Sequence, residues 1–396
     1  MNITSQSIGN LRRVGVLGIL ETRCDRDSLH LLLDQARQHE VLQIDFYDVE
    51  TLPFDTIAAI TRCMDRGISI KMISYHGLLT SSLLRLNFPV QPAPVSKPLS
   101  VTSTMQSTIQ ISSNNIISMM DDRLQRFLDE VWNRYGYDFR EYQRASLSRR
   151  IAAMMIRFNL PDFDEFQHAI FADPILFNRM VVDISVGVSD FFRHPAQFKL
   201  IREVLLPYLE SFPVIKCWSA GCATGEEAYS LAILLDELGL LKRSRLFATD
   251  FNSYLINLAK NGLFPLKSLQ PGQTNYQQSG GQHHFDASIT QGSRYFGIKD
   301  HLRNATLFHR HSLVDEGIFN EFQLILCRNV MIYFMPELQS KLLARFAQSL
   351  HHDGFLVLGP QDGIDHLARK AGFIPYIKGS HIYRVGDHAS NGELNE

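Results

Sequence analysis

The chain has 396 residues, 45% of them hydrophobic, and a formal net charge of −2. That length allows two or three domains with real cores, and the near-neutral charge excludes a general binder of nucleic acid or other polyanions. Cysteines 24, 63, 217, 222 and 327 form no CxxC pair and read as reduced thiols of a cytoplasmic protein; no run has the length of a membrane span or a signal-peptide core.

Residues 1–90 read as a small α/β domain. Val14–Leu20 is a strand. Asp27 or Ser28 caps a helix carrying Leu29, Leu32, Leu33 and Ala36. Val41–Phe46 is a second strand, Ile57, Ile60 and Met64 recur at helical spacing, Ile68–Ile73 is a third strand, and Leu78, Leu79, Leu83 and Leu84 line a last helix. With the phrase Leu42-Gln-Ile-Asp-Phe-Tyr-Asp-Val-Glu50 before the second helix, this alternation resembles a STAS domain, the fold of anti-sigma-factor antagonists. The resemblance implies a regulatory or docking role and an anti-sigma-type partner. Many STAS domains carry a phosphorylatable serine at that helix start, where Thr56 stands here; the alternative for Thr56 is a helix cap.

Residues 91–115 are rich in Pro, Ser and Thr with few apolar anchors, the composition of a flexible linker. Residues 116–195 are helical in pattern. Leu124, Phe127, Leu128 and Val131 form one apolar face, Leu147, Ile151 and Met155 a second, and Phe163, Phe166, Ile170 and Phe171 a third. Arg140, Arg144, Arg149, Arg150 and Arg157 face the single acid Glu141 in this stretch. They form either a solvated helix face or a dock for an acidic protein surface.

Val214–Trp218 is a short strand that runs into a turn containing Ser219, Gly221, Thr224 and Gly225, and a helix begins at Glu226. A strand, a small-residue turn and a helix N-terminus make a nucleoside site, and the glycines admit close backbone approach. Glu226 and Glu227 would repel a pyrophosphate at that N-terminus, whereas S-adenosylmethionine, with its sulfonium and ammonium, suits them. Alternatively, both glutamates simply complement the helix dipole. Arg245–Asp250 is another strand, and it ends in an acid roughly 25 residues beyond the turn, near the spacing at which nucleotide folds place an acid on the ribose. As an alternative, Asp250 caps the helix over 252–261. Turn and acid together favour an adenosine site.

Residues 263–300 break the α/β rhythm and read as an inserted subdomain. Phe322–Cys327 is an apolar strand followed by Arg328, Asn329 and Tyr333. Pro336 starts a helix with Leu338, Leu342, Leu343, Phe346 and Leu350 on one face, and Gly354 ends it. Phe355–Gly359 and Ile382–Val385 are further strands, and residues 387–396 read as a disordered tail. The pattern predicts a mostly parallel sheet with helices on both faces.

Three phrases stand in order: Ser185-Val-Gly-Val-Ser-Asp-Phe-Phe-Arg193, Ser219-Ala-Gly-Cys-Ala-Thr-Gly-Glu-Glu-Ala-Tyr-Ser230 and Cys327-Arg-Asn-Val-Met-Ile-Tyr-Phe334. Over residues 118–385 the chain resembles the CheR family of chemotaxis protein methyltransferases. The resemblance implies a helical domain at 116–195 and a Rossmann-like S-adenosylmethionine methyltransferase domain at 196–386, with a small β-subdomain inserted at about 263–300. It implies methyl-ester formation on glutamates of methyl-accepting chemotaxis receptor cytoplasmic helices, with S-adenosylhomocysteine as product. By motif, the cofactor residues fall on Ser189, Arg193, Glu227, Asp250, Ser312, Leu313, Arg328 and Asn329, joined by Gly221 and Gly225 of the turn. Tyr333 falls near the transferred methyl, with Arg193 beside it as the second catalytic residue. No metal is implied.

Several positions depart from the family pattern. Gly187 and Ser312 replace asparagines, Gln323 replaces an aspartate, Pro360-Gln-Asp362 replaces a Ser-Glu pair, and Ala153 and Met154 replace arginines of the receptor-facing helix. Gly187, Ser312 and Gln323 support a rival, a non-catalytic or weakly catalytic adaptor that docks receptors through its STAS-like and helical domains. A methyltransferase for small molecules or nucleic acid lacks an aromatic-interleaved basic patch, and a nicotinamide dehydrogenase lacks GxGxxG.

Overall fold

A computed structural model describes residues 3–8, 11–17, 23–36, 41–47, 49, 52–74, 77–86, 88–92, 113–160, 162–185, 187 and 189–386. The expected tail and most of the expected linker lie outside these residues.

The N-terminal part is a five-stranded sheet in sequential order. Its strands are β1 (Ile3–Ile8), β2 (Leu11–Leu17), β3 (Val41–Tyr47), β4 (Ser69–Ser74) and β5 (Val90–Pro92), with α1 (Arg23–Asp34), α2 (Phe54–Asp65) and α3 (Gly77–Arg85) between β2 and β5. Only the β1–β2 pair is antiparallel. Val14, Ile44, Met72 and Val90 are aligned across the sheet and buried with Leu29, Leu33, Ile57, Ile60 and Leu83. Two strands escaped the sequence reading. The polar β1 has no apolar alternation, and β5 carries Pro92, tolerated because the strand is an edge. The expected linker therefore gives up residues 91 and 92 to β5 and 113–115 to the next helix. Leu84, expected on the buried face, is 53% exposed. Thr56 lies within the first turn of α2, behind the N-cap Pro53. Its hydroxyl is fully buried and faces His30 Nε2 at 3.3 Å. It neither caps the helix nor offers an accessible hydroxyl.

Four helices follow: α4 (Ser113–Tyr135), α5 (Arg144–Phe158), α6 (Phe163–Ala172) and α7 (Pro174–Ser185). Asn159, left-handed at φ 56°, closes α5, and the Asp162 side chain caps α6 by accepting from the backbone of Asp164 and Glu165. The three expected apolar faces meet in one core, with Phe171 at its margin. Two of the five arginines find acids elsewhere in the chain. Arg140 pairs with Asp138, Arg157 pairs with Asp183, and Arg150 donates to the Asp183 carbonyl. The single-acid count thus overstated the uncompensated charge for Arg140 and Arg157, whereas among the described residues Arg144 and Arg149 meet only the Gln125 side chain and the Ala145 carbonyl.

A broken helix comes next, α8 (Pro195–Leu200) running through a π-turn (Ile201–Leu205) into α9 (Leu206–Leu209). The C-terminal sheet is built from β6 (Ile215–Ala220), β7 (Ser244–Asp250), β11 (Thr306–Arg310), β12 (Phe322–Cys327), β13 (Leu350–Leu358), β14 (Phe373–Ile377) and β15 (Ile382–Val385). Their order is β11-β7-β6-β12-β13-β15-β14, with the first five parallel and β15 antiparallel to both its neighbours. Helices α10 (Glu226–Glu237), α11 (Ser253–Asn261), α13 (Asp300–Ala305), α14 (Pro336–Ser349) and α15 (Asp365–Lys370) flank it. All six side chains of β12 are buried, Ile325 and Cys327 on one face and Leu324 and Leu326 on the other. That is what a parallel strand covered on both sides requires. The first face shares its core with the helical domain.

Between α11 and α13 the chain forms a small antiparallel sheet, β8 (Leu263–Pro265), β10 (Tyr295–Ile298) and β9 (Ile289–Gln291), with α12 (Leu269–Gln278). Gly354 does not end α14. The helix stops at Ser349 and β13 begins at Leu350, so Gly354 lies in an irregular bulge where the register jumps from Leu350 to Phe355. A Cβ there would meet the His351 carbonyl at 2.9 Å, and glycine serves the bulge rather than a helix end.

Candidate active site

The sheet's strand order reverses at β6, whose neighbours β7 and β12 lead in opposite directions across the sheet. Such a switch point opens a crevice at the carboxyl ends of the strands. A cleft of about 1030 Å³, including its open mouth, lies there. Ser189, Arg193, Gly221, Glu227, Asp250, Ser312, Leu313, Arg328, Asn329 and Tyr333 all line it. These residues come from separate stretches of the chain, and the fold brings them together.

The turn between β6 and α10 shapes one wall. Gly221 has φ 76°, and a Cβ on it would come within 2.5 Å of Val330 Cγ2. Gly221 therefore keeps a passage open between itself and the segment after β12. Gly225 does not line the cleft, contrary to the sequence expectation. It has φ 96°, caps α10, and faces Ala259 of α11, where an added Cβ would sit 3.0 Å from the Ala259 Cβ. Its role is the turn and helix packing.

The two glutamates of the turn part company. Glu227 faces the cleft. It accepts from Ser219 Oγ at 2.8 Å and from Arg328 Nη1 at 3.0 Å. Arg328 also donates from Nε to Gln197 Oε1 at 2.7 Å and from Nη2 to the Arg193 carbonyl. Burial lowers the Arg328 pKa and the Glu227 carboxylate opposes that shift. Glu226 turns the other way. It accepts from Thr224 Oγ1 at 2.6 Å and from Arg85 Nη2 at 2.9 Å. Burial raises its pKa, against Arg85 and Thr224. The argument that both acids confront the ligand thus holds for Glu227 alone.

Asp250 closes β7. Oδ1 accepts the Asn252 amide at 3.0 Å and Oδ2 the Ala223 amide at 3.1 Å. Burial pushes its pKa up to about 6 against those amides. The cap of α11 is Asn252, which accepts from the Tyr254 amide, so the capping alternative for Asp250 falls away. A carboxylate has about four acceptor sites, and the backbone amides of Asn252, Ala223 and Phe251 leave room on Asp250 for an outside donor.

Arg193 sits on a strained turn. Phe192 and His194 on either side are left-handed at φ 50° and 58°. The buried rings of Phe191 and Phe192 anchor the turn, and the Phe192 amide donates to Ser230 Oγ at 2.9 Å. Among the described residues no carboxylate pairs with the Arg193 guanidinium. Asn329 is also left-handed, at φ 59°. Its amide donates to Asp362 Oδ2 at 3.1 Å, as the Gly359 amide does at 2.6 Å. Burial raises Asp362 to about 6. Ser312 hydrogen-bonds Asp315 across its turn at 3.1 Å.

The other wall belongs to the loop after α4, which the sequence reading missed. Tyr142 forms a bridge with Phe334, and the Gln143 backbone N–H donates to the Tyr333 carbonyl at 2.8 Å. Tyr137, Asp138 and Tyr142 thereby enter the lining. The Arg150 guanidinium lies 5.4 Å from the centre of the Tyr333 ring. No local motif marks these contacts, which join residues nearly two hundred positions apart; the aromatic run from Tyr135 to Tyr142 was the available signal. Tyr137 and Tyr142, with Phe251, Leu313 and Phe334, supply the aromatic and apolar part of the lining. A buried acid with spare lone pairs, a carboxylate beside the turn, and apolar walls fit an adenosyl group carrying a positive sulfur.

A family model described as CheR methyltransferase, SAM binding domain, matches residues 187–378, and one described as CheR methyltransferase, all-alpha domain, matches residues 122–185. A Pseudomonas putida protein named "Putative methyltransferase Cher3" is 38% identical over 264 residues, covering 67% of this chain and 97% of that protein. A Listeria innocua protein named "Chemotaxis protein methyltransferase" is 29% identical over 231 residues, 58% of this chain and 85% of its own length. A Salmonella typhimurium protein of the same name is 25% identical over 289 residues, 71% and 96% respectively. Among the described residues no helix is long and apolar enough to cross a membrane.

Proposed function

Because this chain belongs to the CheR methyltransferase family, we propose that it transfers a methyl group to glutamate side chains on the cytoplasmic helices of chemotaxis receptors. The observation that carries this reading is the cleft itself, whose lining brings buried Asp250 and Glu227 together with Arg193 and Tyr333. In it Asp250 takes the ribose hydroxyls through its spare lone pairs, and Glu227, fixed by Ser219 and Arg328, faces the positive end of the cofactor. When bound, S-adenosylmethionine supplies the electrophilic methyl.

A glutamate has a solution pKa of about 4.3 and is already the nucleophile at neutral pH, so no general base is required. Arg193 draws the incoming carboxylate to the cleft. Tyr333, held by the Gln143 backbone N–H and by Arg150, shapes the space in which the methyl sits. Alignment of the two reactants is the main task. Opposite charges cancel as they react, and the apolar side chains of Phe251, Leu313 and Phe334 in the lining limit the water that would oppose that.

The adaptor alternative draws on Gly187, Ser312 and Gln323. The space beside Gly187 is filled by Leu255, 2.8 Å from where its Cβ would be, and Gln323 accepts from the Lys216 amide at 2.8 Å inside the sheet. Neither of these two lines the cleft, which favours the enzyme. The N-terminal sheet is read as a STAS-like regulatory or docking module with an anti-sigma-type partner, in a protein of the cytoplasm. Calorimetry with S-adenosylhomocysteine, followed by label transfer from methyl-tritiated cofactor to receptor cytoplasmic fragments, tests the reading. Tight binding with transfer supports it; binding without transfer supports the adaptor.

A further inference from the structure

The N-terminal sheet domain is seated on the methyltransferase domain, next to the cofactor turn. Leu263 and Tyr295 of the small inserted sheet join the N-terminal core. Asn261 Nδ2 donates to the Leu52 carbonyl at 3.0 Å, and Ser293 Oγ donates to Asp65 at 2.8 Å. Arg85, the last residue of α3, reaches furthest. Its Nη2 lies 3.2 Å from Thr224 Oγ1 and 2.9 Å from Glu226 Oε1, and its guanidinium stands 5.9 Å from the centre of the Phe264 ring. Glu226 is 3% exposed, and a carboxylate so buried needs a cation to compensate it.

The residues Arg85 holds, Thr224 and Glu226, stand behind the cleft in the same turn whose Gly221 and Ala223 line it. Ala223 is left-handed at φ 48°, so the turn is held against that residue's own backbone preference. One side is tied to Asp250 through the Ala223 amide, and the other is tied through Thr224 and Glu226 to Arg85. We propose that Arg85 is a positioning residue for cofactor binding, through which the seated N-terminal domain fixes the turn over residues 223–226 and so sets cofactor affinity. With Arg85 withdrawn, Glu226 loses its cation, the turn relaxes, and the Ala223 amide no longer orients Asp250 toward the ribose. The inference rests on the adenosyl site and not on which side chain receives the methyl.

The test is calorimetric titration of S-adenosylhomocysteine into the full chain. Arg85→Ala is expected to weaken binding about tenfold, within the usual range for coupled sites. Arg85→Lys recovers most of that loss. Glu226→Gln weakens binding little by itself and removes the effect of Arg85→Ala, because the neutral amide no longer needs the cation. Asp65→Ala, which cuts an exposed contact elsewhere on the same interface, leaves the affinity unchanged. In turnover, KM for the cofactor rises while kcat at saturating cofactor is kept. If Arg85→Ala does not fold, Arg85→Gln, which keeps bulk and donors without the charge, gives the same reading. Wild-type affinity in folded Arg85→Ala or Arg85→Gln overturns the proposal, as does an equal loss in Asp65→Ala or an undiminished loss in the Glu226→Gln background.

Discussion

Arg328 donates to Glu227 Oε2 at 3.0 Å with side-chain exposures of 1% and 11%, and this pair ties the end of β12 to the first turn of α10 across the cleft. Removing one partner of a buried pair leaves the other charge uncompensated. Arg328→Ala is expected to cost about 3–5 kcal/mol of stability, read from urea denaturation. Replacing both, Glu227→Leu with Arg328→Met, should restore much of that stability and still abolish cofactor binding. A double variant that binds normally would remove the pair from the site.

Cofactor affinity should depend on pH through Asp250. Its pKa is raised to about 6 in the folded chain, so the ionised acceptor is present above that pH and is lost as pH falls through it. Affinity for S-adenosylhomocysteine is expected to drop about tenfold per unit below pH 6. For stability the sign is opposite: the raised pKa favours the protonated folded form, so burial of Asp250 costs stability as pH rises from its unfolded value through about 6. Asp362 titrates in the same window. Asp250→Asn must therefore flatten the affinity profile, whereas Asp362→Asn must leave most of the slope.

The two turn glycines should separate by phenotype. Gly221→Ala places a methyl against Val330 in the cleft wall and strains a backbone at φ 76°. It should weaken cofactor binding at least tenfold, a strain of about 1–3 kcal/mol. Gly225→Ala meets Ala259 behind the wall and should lower the melting temperature more than the affinity. Equal affinity losses would contradict the division of roles.

Arg193 and Tyr333 are assigned to the reaction rather than to cofactor retention alone. Arg193→Ala is expected to lower kcat/KM for receptor by a factor on the order of 10², the scale of a lost electrostatic contact at the reacting centre. Tyr333→Phe should lower kcat with little change in cofactor affinity. Steady-state methyl transfer with both variants checks this, and unchanged rates would withdraw both assignments.

Where a segment's own periodicity decides its state, the sequence was a sound guide. β12, with six apolar or buried residues in a row, and α14, begun by Pro336, stand where the pattern places them, and the cofactor turn lies between its strand and helix. The misreadings have a common physical origin in contacts made at a distance. Gly354 resembles a helix stop until β13 is seen to bulge against β12. Glu226 and Glu227 are neighbours in sequence, yet a helix turns adjacent side chains about 100° apart, which sends one to Arg85 and the other to Arg328. Arg140 and Arg157 looked unpaired because their partners, Asp138 and Asp183, lie outside the stretch that was counted. Tyr142 and Arg150 reach Tyr333 only through docking of the helical domain on the sheet, a relation that no spacing encodes.

The central claim is ester formation on a glutamate. Full-length protein is incubated with methyl-tritiated S-adenosylmethionine and a receptor cytoplasmic fragment, and the washed product is treated with mild base. The account predicts volatile labelled methanol, absent when the accepting glutamates of the fragment are changed to alanine. Label that stays on the fragment through base, or no label in a preparation that binds S-adenosylhomocysteine, would contradict it.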